Sequence, residues 1–142
     1  MRVLKLVVMF AATAGCADNI LQTTDGPSES HAMTKTEIVL EYGEEKVLDG
    51  TALRVNFGDV LEDSRCPKDV TCVWAGNAKV LVGIAAGSGP THALELNTTL
   101  EPHARDRLGV RVTLLSVTPE PLSGQSVPVD AYSVRLRIEP IP

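Results

Sequence analysis

The stretch ending the chain, residues 132–139, constrains the fold most. Tyr132, Val134, Leu136 and Ile138 fall on one side of it, and Ser133, Arg135, Arg137 and Glu139 on the other. A period of two suits a half-buried antiparallel strand and no helix, because successive strand side chains point to opposite faces. The same alternation recurs in residues 53–57, 79–84, 93–97 and 110–114, and more weakly in 37–41 and 45–48 around Gly43. Turn residues punctuate these segments: Asp49-Gly50, Gly76-Asn77, Gly87-Ser88-Gly89-Pro90, and the stretch from Pro119 to Pro128 around Gly124. No segment carries a helical pattern three turns long. Short alternating runs separated by turns predict an all-β domain over residues 36–142, an antiparallel β-sandwich of about seven strands. An immunoglobulin-like arrangement is the favoured form, by architecture only, because no cysteine pair is spaced to join two sheets.

The other end of the chain carries an address. Arg2 and Lys5 precede a brief apolar run, followed by Ala14-Gly15-Cys16. A basic start, a short apolar stretch and small residues before a cleavage point describe a secretory signal. The run is too short to cross a bilayer as a helix, which takes roughly 20 residues. With a cysteine directly after Ala14-Gly15, the segment resembles the signal of bacterial lipoprotein precursors. The resemblance covers the first 16 residues and departs from the family at Thr13, where Leu, Val or Ile is preferred. It implies removal of residues 1–15, diacylglycerol on the Cys16 thiol and an acyl group on the new amino terminus. It also implies membrane attachment through the lipid. Ala17, in place of the Asp that favours inner-membrane retention, implies the outer membrane, facing the periplasm or the cell surface. Ordinary signal cleavage after Ala12-Thr13-Ala14 is the alternative. Cysteine parity favours lipidation: of Cys16, Cys66 and Cys72, modifying the first leaves one pair and no odd thiol.

Loss of Arg2 and Lys5 with the signal takes the formal charge from −5 to −7. So acidic a chain is repelled by phosphate backbones, which argues against a nucleic-acid partner. It is equally unsuited to electrostatic docking on anionic lipid, so attachment would fall to the acyl chains, at roughly 0.8 kcal/mol per buried methylene. Residues 16–35 are polar and aperiodic and contain Gly26-Pro27. They read as the lipidated N-terminus and a flexible tether, with a root-mean-square span of roughly 25 Å.

Cys66 and Cys72 enclose five residues in an otherwise irregular excursion. In an exported protein they read as a local disulfide, worth roughly 2 kcal/mol on the chain-entropy estimate. Ser64, Arg65, Cys66 and Pro67, then Cys72, Trp74, Ala75 and Gly76 ahead of a strand, resemble a segment of small uncharacterised bacterial lipoproteins. The strand pattern is similar over most of the mature domain. That resemblance implies a class and no mechanism.

Chemistry was sought and weighed against plainer readings. Two thiols with His92 or His103 would make an incomplete metal site, since structural zinc uses four ligands and His31 lies in the tether. A redox centre would use Cys-x-x-Cys at a helix start, and neither feature is present. No Gly-x-Ser-x-Gly elbow occurs. Glu44, Glu45, Asp63 and Asp106 read as solvated acids rather than as acid–base pairs. Arg105, Asp106, Arg107 and Arg111 read either as an anion-binding patch or, preferably, as a charged rim that keeps strand edges apart. Asn97-Thr98-Thr99 matches a eukaryotic glycosylation sequon, a coincidence in a bacterial chain. Trp74 is the sole tryptophan, and its favoured role is a plug packed on the disulfide. The alternative makes Trp74 and Arg65 an exposed anchor for a partner, since aromatic and arginine residues dominate binding hot spots.

The sequence therefore predicts a membrane-anchored, non-catalytic envelope lipoprotein with a binding or structural domain. Its partner would be an envelope protein or glycan, with no cofactor beyond the lipid on Cys16. The alternative is a metal- or small-ligand-binding envelope protein using the Cys66/Cys72 loop.

Overall fold

A computed structural model describes residues 33–142. The signal, Cys16, His31 and the expected tether up to residue 32 lie outside the described residues. Eight strands are present among those described: β1 (Thr36–Glu41), β2 (Glu45–Val47), β3 (Leu53–Asp63), β4 (Ala78–Ala86), β5 (His92–Asn97), β6 (Ala104–Arg107), β7 (Val110–Thr118) and β8 (Ser133–Pro140). They form two packed four-stranded antiparallel sheets, in the orders β1-β8-β7-β6 and β2-β3-β4-β5. The expected all-β sandwich with one Cys66–Cys72 disulfide is therefore the observed architecture.

The connectivity differs from the immunoglobulin pattern, in which neighbours in sequence are dealt between two sheets. Here each strand lies beside its neighbour in sequence, and β8 returns to pair with β1. The result is an up-and-down meander of eight strands flattened into two layers. Hydrogen bonding lapses at two seams only, between β1 and β2 and between β5 and β6.

The alternation seen in the sequence builds the core. Val55 and Phe57 of β3, Val80, Val82 and Ile84 of β4 and Leu96 of β5 are fully buried from one sheet. Leu40 of β1, Val112 of β7 and Val134, Leu136 and Ile138 of β8 meet them from the other. Tyr42 packs edge-on against Phe57, with ring centroids 5.9 Å apart. Both long pairings carry bulges. One between Leu114 and Ser116 steps the register of β7, so that Leu114 and Val117 both face inward.

β6 carries no hydrophobic alternation and was not predicted as a strand. It forms because Leu108 and Gly109, both with positive φ, make a two-residue hairpin turn into β7. Positive φ at a leucine is uncommon, so the turn was not visible in the residue types.

One buried polar pair fixes the crossover from β5 to β6. Asn77 and Asn97 are each 4% exposed, and Asn77 Nδ2 donates to Asn97 Oδ1 at 2.9 Å. Asn77 Oδ1 accepts from the backbone N–H groups of Thr99 and Leu100 at 3.1 and 3.3 Å. Asn77→Ala would leave those two donors and the Asn97 oxygen without their partner. Urea unfolding of this variant is expected to show a loss of about 2–3 kcal/mol, the cost of stranded buried polar groups.

Candidate functional site: the stapled loop

β3 and β4 leave the sandwich at Asp63 and Ala78, which are paired in register. The 14 residues between them extend the hairpin beyond the sheets. The base of the excursion is held by backbone bonds from Ser64 N to Asn77 O at 2.7 Å and from Cys66 N to Ala75 O at 2.9 Å. Gly76 is required where the two arms cross. Its φ is +69°, and a Cβ there would lie 1.8 Å from the Ser64 carbonyl oxygen. Above the base, the Cys66–Cys72 disulfide spans a Cα separation of 5.9 Å.

Arg65 braces this loop against the opposite sheet. Its guanidinium bonds Asp63 through Nε to Oδ1 at 2.8 Å and through Nη2 to Oδ2 at 2.6 Å, a two-point pairing. It also donates to the carbonyls of Val117, at the end of β7, and of Pro119, the latter at 2.8 Å. Tyr132, just before β8, donates its hydroxyl to Asp63 Oδ2 at 2.9 Å. The Arg65 and Asp63 side chains are only 12% and 11% exposed. Burial alone would raise the Asp63 pKa. The bonds from the Arg65 side chain and N–H and from Tyr132 outweigh that and hold it below the ordinary aspartate range. For Arg65, burial works against the charged form and Asp63 more than restores it, so its pKa is raised. Burial and then the Asp63 carboxylate push the Tyr132 phenol up.

The 119–128 segment adds a second brace. Lys68 N donates to Pro121 O at 3.0 Å, and Ser123 bonds Asp69 through its backbone N–H at 2.9 Å and through its hydroxyl. The loop is thus fixed at its base, at its staple and along one flank, yet three of its apolar side chains are bare. Val73 is 87% exposed, Trp74 81% and Val70 47%.

This overturns the reading of Trp74 as a plug. The indole stands in solvent, on a loop between β3 and β4 that belongs to neither sheet. Phe57 and the aliphatic side chains fill the core without it. Arg65 and Trp74, paired in the sequence reading as one surface, have different surroundings: Arg65 is engaged inside the fold, and Trp74 points away from it.

The remaining candidates are placed as follows. His103 Nδ1 lies 3.0 Å from Asn97 O, and His92 Nδ1 lies 2.9 Å from Arg107 Nη2. Glu44 meets Lys46 at 3.1 Å, Glu45 meets Arg54 at 3.2 Å and Asp106 meets Arg111 at 2.7 Å. Both loop sulfurs are tied up in the disulfide and offer no thiolate. Among the described residues, no three His, Cys, Asp or Glu side chains are grouped to hold a metal ion. The brace of Asp63, Arg65 and Tyr132 was the feature the sequence reading missed. Its only local signal was an acid two residues before an arginine; the tyrosine comes from 67 positions beyond Arg65.

No family model matches the chain, no curated protein matches it and no solved structure matches it.

The brace makes stability depend on acid. A carboxylate with a lowered folded pKa contributes stability above its unfolded value, about 3.9, and loses it as pH falls through the folded value. Chemical denaturation between about pH 5 and pH 2 is expected to show a steep acid limb in the native protein and a shallower one in Asp63→Asn. At neutral pH, Arg65→Met is expected to cost about 3 kcal/mol, because it strands the Asp63 charge.

Proposed function

We propose that the protein is a membrane-anchored bacterial lipoprotein whose domain is a non-catalytic binding module of the cell envelope. Cys16 carries the lipid, the following residues form the tether, and the stapled loop is the contact surface. The N-terminal sequence supports the anchor: Arg2 and Lys5, the brief apolar run and Ala14-Gly15 directly before Cys16. The binding role rests on one observation, the exposure of Val73 and Trp74 on a loop held at its base, at its staple and along one flank. Holding a large indole and two valines in water opposes the hydrophobic effect, and a disulfide that keeps the loop rigid lowers the entropic cost of docking. Rigid aromatic side chains with aliphatic neighbours form the desolvated centres of protein–protein hot spots. The partner class that fits is therefore an envelope protein. A glycan would more naturally find polar groups free beside the ring, and Asp69, close by in the loop, is already tied to Ser123.

Two measurements test this reading. The intact mass of the full chain extracted from its native membrane, with and without reductant, is expected to correspond to a start at Cys16 plus acyl groups, with two hydrogens gained on reduction. An unmodified start at Gly15 would defeat the anchor. A photo-crosslinker at Val73 in living cells is expected to give one discrete protein adduct that Trp74→Ser abolishes, while stability changes by less than about 0.5 kcal/mol. No adduct, together with a large fall in melting temperature in Trp74→Ser, would return Trp74 to a packing role.

A further inference from the structure

The two seams of the flattened meander are not alike. The β1–β2 seam is lined by Met33, Ile38, Val47 and Leu48 and is crossed by one cation, Lys46, whose Nζ donates to Val39 O at 2.7 Å. The β5–β6 seam opens into a cleft of about 690 Å³ lined by His92, Leu94, Glu95, Arg105 and Arg107, among others. The register explains the arginines. Arg105 and Arg107 pair with Val112 and Val110, whose side chains are buried toward the core, so both arginines stand on the face of β6 that borders the seam, where they remain exposed. Asp106 points the other way and pairs with Arg111 on the outer face, at 2.7 and 2.8 Å. The four charges that are close in sequence thus divide into a neutralised outer pair and an inner pair in the cleft.

Arg54, Arg65, Arg111 and Arg137 each meet a carboxylate. Among the described residues, Arg105, Arg107 and Arg135 meet none, and of these Arg105 and Arg107 lie in the cleft. Arg107 Nη2 instead lies 2.9 Å from His92 Nδ1. Arginine only donates, so Nδ1 must accept, and a neutral His92 then carries its hydrogen on Nε2. The cleft therefore holds a surplus of donors. Glu95 is the one carboxylate in it not already paired, and two guanidinium groups against it leave a net positive charge in a strongly acidic chain. Inward charges do protect an exposed strand edge, but a single lysine serves that purpose at the other seam. Two arginines at alternate positions, about 7 Å apart along the strand, beside a histidine that helps fix one of them, make a fork suited to a tetrahedral oxyanion.

We propose that the β5–β6 seam binds a phosphate group borne on a larger organic molecule, with Arg105 and Arg107 as its ligands and His92 as the residue that positions Arg107. The volume exceeds what a bare phosphate fills and leaves room for the rest of the ligand. A soluble phosphate monoester and the phosphate of a lipid headgroup share this chemistry.

The test is a titration of the full mature chain, followed by the backbone amide resonances of residues 92–95 and 105–107. The probes are glycerol 3-phosphate and vesicles of phosphatidylglycerol, with vesicles of phosphatidylcholine, a zwitterion whose phosphate is masked by its choline cation, as the control of zero net charge. Saturable shifts with glycerol 3-phosphate are expected, weakened at least about tenfold in Arg105→Gln and Arg107→Gln and unchanged in Arg137→Gln, whose arginine pairs with Glu37 away from the cleft. Saturation with phosphatidylglycerol vesicles alone, with the same dependence on the variants, would also support the site and assign the phosphate to lipid. Glu95→Gln removes the opposing charge and is expected to tighten binding several-fold, which keeps the test open if an arginine variant fails to fold. The proposal is overturned by no saturation with either probe at about 10 mM, tenfold beyond a millimolar site. Equal weakening in Arg137→Gln, or unchanged binding in Glu95→Gln, would overturn it as well.

Discussion

The ion pair between Asp63 and Arg65, closed by the Tyr132 hydroxyl, is the interaction on which the arrangement of the rest depends. Asp63 ends β3 in one sheet, Tyr132 leads into β8 in the other, and Arg65 reaches the carbonyls at the end of β7. A mostly buried charge is tolerated only when it is paired and fully bonded, and this cluster meets that condition: among the described residues no buried side-chain nitrogen or oxygen lacks a partner. The cluster ties the two layers at one end of the sandwich and anchors the first arm of the long loop. The disulfide and the bonds from the 119–128 segment then act on a loop whose root is already fixed. Val70, Val73 and Trp74 can be presented in water because so little of the loop is left free to fold back over them.

The flattened meander creates its own difficulty. A barrel that closes completely has no strand edges, whereas two four-stranded layers with no strand pairing between them leave edge strands at both seams. The chain handles the seams with different chemistry. At β1–β2 a short strand and one lysine suffice. At β5–β6 arginines stand on the face that borders the seam, and their heads reach the cleft. A device that discourages edge pairing thus also gathers donor groups in a concave place, and for that reason the seam, rather than the loop acids or histidines, offers the more chemically specific cavity.

How far the sequence could be read depends on which neighbours each residue answers to. β8 was legible in full, because a strand between two partners with one face on the core must alternate. Tyr132, Val134, Leu136 and Ile138 are all buried. β6 was illegible, because an edge strand with arginines on its inner face has lost the alternation that marks a strand. The disulfide could be read from compartment and spacing. The role of Trp74 could not, because a tryptophan beside a cystine packs or projects according to whether another layer lies opposite. The patch of Arg105, Asp106, Arg107 and Arg111 was recognised as a charge cluster, but its division between two faces depends on the register with β7.

By itself, the sequence determined the all-β class, most strands of the two layers and the staple in the loop. Each of these depends on residue type at short spacing, where the pleat or the local chain geometry leaves one solution. The tertiary structure alone decided the sequential order of strands, the two open seams, the burial of Arg65 and the exposure of Trp74. Those outcomes depend on contacts between residues dozens of positions apart, such as Asp63 with Tyr132 and His92 with Arg107, and no local period encodes which distant partner a side chain will meet.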